Sequence, residues 1–228
     1  GTVGFYVSEG GLSSELAYGI GALGTGFDYA STSTFQHSYD VDGYSNIQYH
    51  LPADMLPFGI GLKVGYVPNM SATTLLSAKE SDTTITSEAT GRNLTMGQLS
   101  VAPIDGLSIK GDVAQTSNET GVAVSTEEGI SANINAKYTM GPISIGYAEG
   151  GYQPAVASGE LTYYENKFLG IQFDVNDQLS LSYNIDESDK NARTAVAVGA
   201  SAGTKTVTGM EQKSYQLAYT TGGATIGI

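Results

Sequence analysis

Three glycines, Gly19, Gly21 and Gly24, stand in the spacing G-x-G-x-x-G within ELAYGIGALGTGFDYA, residues 15–30. In a dinucleotide-binding unit this spacing lets backbone approach a pyrophosphate at the first turn of a helix, and an acid about 20 residues further on holds a ribose hydroxyl. Asp40 and Asp42 fall near that distance. The helix, however, is missing from the pattern. TGFDYASTSTFQHSYDVDG, which follows, has no apolar residues at helical spacing and no strong helix former in its first turn. In a chain with 30 glycines a single match carries little weight, and no cofactor is expected. Other reactive groups are sparse. Cysteine is absent, and His37 and His50 are the only histidines, so neither a thiolate nor a histidine-rich metal site is expected. Neither histidine has a sequence-local Ser/Asp arrangement that would make a nucleophile and its base, and no enzyme activity is expected.

Composition selects a fold class before it selects a function. Only 14% of residues are charged, Trp is absent, and Tyr supplies 15 aromatics against 6 from Phe. Abundant Gly, Ser, Thr, Asn and Tyr with few straight-chain helix formers suits strands and turns. The net charge of −13 argues against a nucleic-acid partner, which needs a basic surface. No apolar run approaches the about 18 residues of a spanning helix, but a membrane β-barrel shows lipid only every second residue and escapes that test.

The elements that must position any site are alternating strands. In FGIGLKVGYV, residues 58–67, Phe58, Ile60, Leu62, Val64 and Tyr66 share one face and Gly59, Gly61, Lys63 and Gly65 the other. Leu107, Ile109 and Val113 oppose Ser108, Lys110 and Asp112; Ile130, Ala132, Ile134, Ala136, Tyr138 and Met140 oppose Ser131, Asn133, Asn135, Lys137 and Thr139. The same alternation recurs at Ile143–Tyr147, Leu169–Val175, Leu179–Ile185, Tyr215–Tyr219 and Ala224–Ile228. Before residue 58, Val3, Phe5 and Val7, then Leu16, Tyr18 and Ile20, then Ile47, Tyr49 and Leu51 each share a parity. Counted this way the chain holds about 12 strands, near the about 9 to 11 residues that cross a bilayer at a tilt. One switch of parity, between Leu94 and Met96 on one side and Leu99, Val101 and Pro103 on the other, suggests a bulge near Gly97 or a strand that starts later.

Tight turns at residues 104–106, 141–142, 176–177 and 221–223 alternate with long polar stretches at residues 68–91, 117–128, 151–162 and 187–209. Nothing in a soluble sandwich requires its long loops to gather at one end, whereas an outer-membrane barrel places them so. Tyr66, Tyr138, Tyr147, Tyr183 and Tyr219 sit toward segment ends on the apolar face, as an interfacial girdle would, although ordinary strand propensity also favours tyrosine. The opposite face carries small residues and isolated charges, among them Lys63, Lys110, Asp112, Lys137, Asp174 and Asp186. That set fits the wall of an aqueous lumen, and it also fits a solvated outer surface.

The stretch DGYSNIQYHLPADMLPFGIGLKVGYVPN, residues 42–69, resembles the general porins of Gram-negative outer membranes, with Asn46, Ile47, Tyr49, Pro52, Phe58 and Tyr66 in the places of that family's strand, periplasmic turn and strand. VNDQLSLSYNID and SYQLAYTTGGATIGI are similar to hairpins of its C-terminal half. The resemblance implies an all-β, transmembrane, antiparallel up-and-down barrel of 16 strands. It also implies a homotrimer in outer-membrane lipid and lipopolysaccharide that passes small polar solutes and ions without energy input. On this resemblance residues 1–228 are a single barrel domain incomplete at both ends. Residues 21–43 then correspond to the loop that folds inward and narrows the pore, with Asp28, Asp40 and Asp42 as its acids and Lys63, Lys110, Asp112 and Lys137 as lumen wall charges. The other reading of the same alternation is a soluble or surface β-sandwich, an adhesin or structural protein.

Overall fold

The structure is a computed structural model that describes residues 1–14, 20–23, 39–52, 55–70, 93–117, 128–153, 163–193 and 205–228. Eleven strands follow one another as β1 Thr2–Val7, β2 Ser45–His50, β3 Gly61–Val67, β4 Leu94–Val101, β5 Leu107–Thr116 and β6 Ile130–Met140. They continue as β7 Ile143–Gln153, β8 Tyr163–Asn176, β9 Leu179–Arg193, β10 Lys205–Thr221 and β11 Ala224–Gly227. Each pairs antiparallel with the next in one up-and-down sheet, ordered β1 to β11, and among the described residues no ladder joins β11 back to β1. The fold is all-β, as the alternation predicts, with the architecture of a β-barrel wall.

Turn chemistry sets the registers. The β4–β5, β6–β7 and β10–β11 turns carry Gly106, Gly141 and the Gly222–Gly223 pair, all at positive φ, which costs a glycine nothing. At β8–β9 the side-chain oxygen of Asn176 accepts from the backbone N–H groups of Gln178 (2.9 Å) and Leu179 (3.0 Å), closing the turn in place of glycine. These turns and the β2–β3 connection lie at one end of the sheet. The strand ends that lead into the longer connections β3–β4, β5–β6, β7–β8 and β9–β10 lie at the other, hereafter the long-loop end.

Three expectations are corrected. Phe58 belongs to a 3-10 turn, Pro57–Gly59, where its φ of 60° is left-handed, and β3 starts only at Gly61 because Pro57 fixes the turn. There is no bulge at Gly97, since β4 runs through it in unbroken register against both β3 and β5. Leu94 and Met96 change parity because the polar face itself becomes apolar near the long-loop end, where both side chains are fully buried. Finally, among the described residues 11 strands stand against the expected about 12, because the described part of the chain between β1 and β2 adds none to the sheet. Leu16 and Tyr18 lie outside the described residues, and Ile20 is fully buried on the polar face rather than exposed with the apolar one.

Candidate functional site: an internal segment crossing the polar face

The described parts of the β1–β2 connection lie against the polar face of nearly the whole sheet, so that face is the inner one. Leu12 sits over Gly65 of β3, and its carbonyl accepts from Gln98 Nε2 of β4 (2.7 Å). Ser14 donates through its N–H (2.7 Å) and its hydroxyl (2.5 Å) to Asp112 of β5, and its carbonyl accepts from Asn135 Nδ2 of β6 (2.5 Å). Ile20 packs with Ala148 of β7 and Phe168 of β8. The N–H groups of Gly21, Ala22 and Leu23 then donate to Gln172 of β8 (3.3 Å), Ser182 of β9 (2.8 Å) and Gln216 of β10 (3.0 Å). The Leu23 side chain reaches Gly227 of β11. The backbone groups of the described segment thus find hydrogen bonds in side chains of successive strands.

Within the loop expected at residues 21–43, residues 21–23, Tyr39 and Val41 lie against the inner face, as do Leu12, Ser14 and Ile20 before it, and residues 24–38 lie outside the described residues. Leu16, Tyr18 and Ile20 alternate like a strand in the sequence, and Ile20, the described one of the three, faces inward. Asp28 lies outside the described residues. Asp40 is not a free charge: it accepts from the N–H groups of Leu12 (2.7 Å), Ser13 (2.8 Å) and Val41 (2.7 Å), so it caps the 3-10 turn Val41–Gly43 and ties the two limbs of the segment together. Asp42 stands beside it, exposed, with its carboxyl raised above the ordinary value by partial burial and by the Asp40 charge. Tyr44 is buried, and that burial raises its phenol likewise.

Around the Asp40 limb the inner face is apolar. Leu12, Val41 and Tyr44 from the segment join Val67, Met70, Leu94, Met96 and Ala114 in one buried cluster, and the Tyr39 ring packs tilted at 5.0 Å against Tyr152, itself 5.9 Å from Tyr164. Asn46 Nδ2 lies within 3.1 Å of the carbonyls of Glu9, Val41 and Tyr44 and fixes the return of the chain into β2.

The predicted wall charges divide. Asp112 is consumed by Ser14 and by Asn133 Nδ2 (3.0 Å) and holds the segment in place. Lys63, Lys110 and Lys137 lie half-buried on the inner face, toward the short turns. Tyr66, Tyr138, Tyr147 and Tyr219 are exposed on the outer face, and Tyr183 is half-exposed there, 4.6 Å from Tyr215. Beyond the apolar band, toward the long-loop end, the outer face carries Glu149, Lys167, Glu187 and Glu211 in one cross-strand row.

Sequence reasoning missed Ser14, Gln98, Asn135, Gln172, Ser182 and Gln216, which hold the segment. Their polarity on the inner parity was visible, but their partners lie far away in sequence. His50 reaches the Gln48 side chain at 2.8 Å rather than an acid or nucleophile, and His37 lies outside the described residues. Among the described residues no group of three ligating side chains gathers as for a metal. Comparison with protein-family models, with curated proteins and with solved structures finds no match to the chain.

Proposed function

We propose that the chain is a wall of a Gram-negative outer-membrane porin: a water-filled channel, in a homotrimer set among outer-membrane lipid and lipopolysaccharide, for passive diffusion of small hydrophilic solutes and ions. The observation that carries this reading is the inversion of the two faces. On the outer face Phe5, Ile134 and Tyr215 are 77%, 56% and 75% exposed, while on the inner face Asn166, Asn184 and Ser188 are at most 1% exposed. A soluble sandwich buries the apolar face of each strand against a second sheet, and a continuous exposed apolar face of this extent would aggregate in water. In lipid the same face is satisfied, and the backbone groups of successive strands pair from β1 to β11.

The internal segment then works as a constriction. It lays peptide dipoles and small side chains across the inner wall, so that passage is limited by size and by fixed charge rather than by any covalent step. Protein purified in detergent and added to a planar bilayer tests this directly. Stepwise, ohmic conductance increments grouped in threes are expected, and a protein that stays soluble without detergent and never conducts would sink the proposal.

A further inference from the structure

We propose that Tyr6, His50 and Lys63 form a docking platform for a neutral ring sugar on the inner wall of β1 to β3. The sugar lays its C–H face on the two aromatic rings and its hydroxyls along their rim. The inference rests on the pore reading above and names a solute class for that channel. Register sets Tyr6 opposite Asn46, Thr2 opposite His50 and His50 opposite Lys63. The Tyr6 ring leans back along β1 over Gly4, toward His50. All three side chains stand on the inner face and are half-buried, so each keeps surface open to a solute.

The rings are held in place by glycines. The phenol end of Tyr6 covers Gly4, where a Cβ would stand 2.5 Å from it, and Gly10 of the internal segment closes on the root of the ring, where a Cβ would stand 3.0 Å away. Gly10 also holds a φ of 81°, which a larger residue would resist. The His50 ring lies 18° from parallel to Tyr6, with 6.4 Å between centroids. Two near-parallel rings side by side make one broad apolar surface. A sugar ring covers it with C–H groups, and both partners shed water.

Hydrogen bonding fixes the character of the rim. Asn46 spends Nδ2 on the carbonyls of Glu9, Val41 and Tyr44, so its Oδ1 is the acceptor for Gln48 Nε2 (2.9 Å), which also donates to the Gly10 carbonyl (2.5 Å). Gln48 Oε1 then accepts from His50 Nε2 (2.8 Å). This relay assigns the imidazole proton to Nε2 and leaves Nδ1 an acceptor. Lys63 supplies only donors, and it makes no ion pair among the described residues. A guest on this rim must therefore donate to Nδ1 and accept from Lys63. A hydroxyl does both, whereas a carboxylate or phosphate group only accepts and an ammonium only donates. The same relay ends on carbonyls of the internal segment, so the platform stands beside the point where the constriction leaves β1 and returns to β2. A through-flow site must release its ligand, so millimolar affinity is the expected range.

The test uses glucose and the open-chain hexitol sorbitol, nearly equal in size, as probes of potassium chloride current in planar bilayers. In wild type, glucose should add saturable blocking noise to the current and sorbitol should not. Y6L/H50Q removes both rings and should bind glucose about tenfold more weakly, as expected for losing two aromatic contacts. Y6F keeps the ring and should keep the block, and the outer-face control Y215L should match wild type. K63Q leaves both rings and should weaken the block by about threefold, a readout that stands even if the double variant fails to insert. Equal block by glucose and sorbitol in wild type, or a Y6F block as weak as that of Y6L/H50Q, overturns the platform while leaving the channel intact. If no protein conducts, the pore reading fails, and saturation-transfer NMR with glucose and the detergent-folded proteins decides the platform alone. Transfer to the ring C–H protons in wild type that falls in Y6L/H50Q supports it, and no transfer in wild type, or equal transfer in both, overturns it.

Discussion

The two ends of the internal segment are held by different physics. Over β3 to β6 it is fastened by a buried apolar cluster around Leu12, Val41 and Met96 and by two carboxylates, Asp40 and Asp112, each accepting several donors. Over β8 to β11 it hangs from single backbone N–H donations to Gln172, Ser182 and Gln216, with Leu23 lying across Gly227. Charge-assisted hydrogen bonds shielded by apolar packing are stronger, and dearer to lose, than neutral amide contacts facing a polar wall. The β3–β6 side thus fixes where the segment sits, and the β8–β11 side is the adjustable edge. Amide hydrogen exchange should show this ordering in the native protein, with the Leu12, Ser13 and Ser14 N–H groups slower than those of Gly21, Ala22 and Leu23.

The largest effect should come from emptying the fixed side. Leu12 is 1% exposed and inserts between Gly65 and Val41, where a Cβ on Gly65 would already stand 3.0 Å from it. Leu12→Ala should cost about 3 kcal/mol, the sum of lost transfer free energy and an unfilled cavity. In a bilayer this should appear as noisier, larger conductance, and in exchange as accelerated loss of the Ser14 amide proton. A variant whose Ser14 protection and unfolding midpoint match the wild type would show that the cluster does not fasten the segment.

That cluster also marks the limit of what the sequence disclosed. Period two gave the strands from β2 to β11 and the face of each, because alternation is local and the turn residues Gly106, Gly141, Asn176 and Gly222 punctuate it. It failed wherever an inner-face residue is apolar for a nonlocal reason. Leu94 and Met96 looked like a bulge, and Ile20 looked like an outer strand position, because each is buried by a part of the chain distant in sequence. For the site, Asp40 and Asp112 were singled out from the sequence as charges, but Asp40 is a backbone tie and Asp112 an anchor. A carboxylate's partners are set by the fold, and Ser14 and Asp112 are 98 residues apart. Lys63, Lys110 and Lys137 were the opposite case, since parity alone fixes their face.

An intermediate effect is expected at the adjustable edge. Gln216 accepts from Leu23 N–H (3.0 Å) and from the Ser182 hydroxyl (3.1 Å), so Gln216→Ala leaves two donors to find water. With Gln216 and Ser182 both buried, this should cost about 1 kcal/mol, the low end for a buried donor left unpaired. The unfolding midpoint should move little, while exchange at Leu23 and Ala22 speeds up and exchange at Leu12 does not. Equal acceleration at both ends would mean that the segment moves as one rigid piece, and the contrast drawn above would fall.

The smallest effect tests the fixed side by its charge. Asp42 has its carboxyl raised by partial burial and by Asp40, so between its ordinary value of 3.8 and the raised one the native state binds more protons than the unfolded chain. Stability contributed by the protonated form is then lost as pH rises through that window, and above it Asp42 is a standing penalty on the Asp40 limb. Asp42→Asn keeps an acceptor for the Gly43 N–H and removes the charge. It should raise the stability at pH 7 by less than about 1 kcal/mol, since an exposed carboxylate is well screened, and should leave the stability at pH 3 unchanged. A gap between variant and wild type that narrows as pH rises would reverse the sign and make Asp42 an anion the fold wants, which the two carboxylates set side by side at residues 40 and 42 do not support.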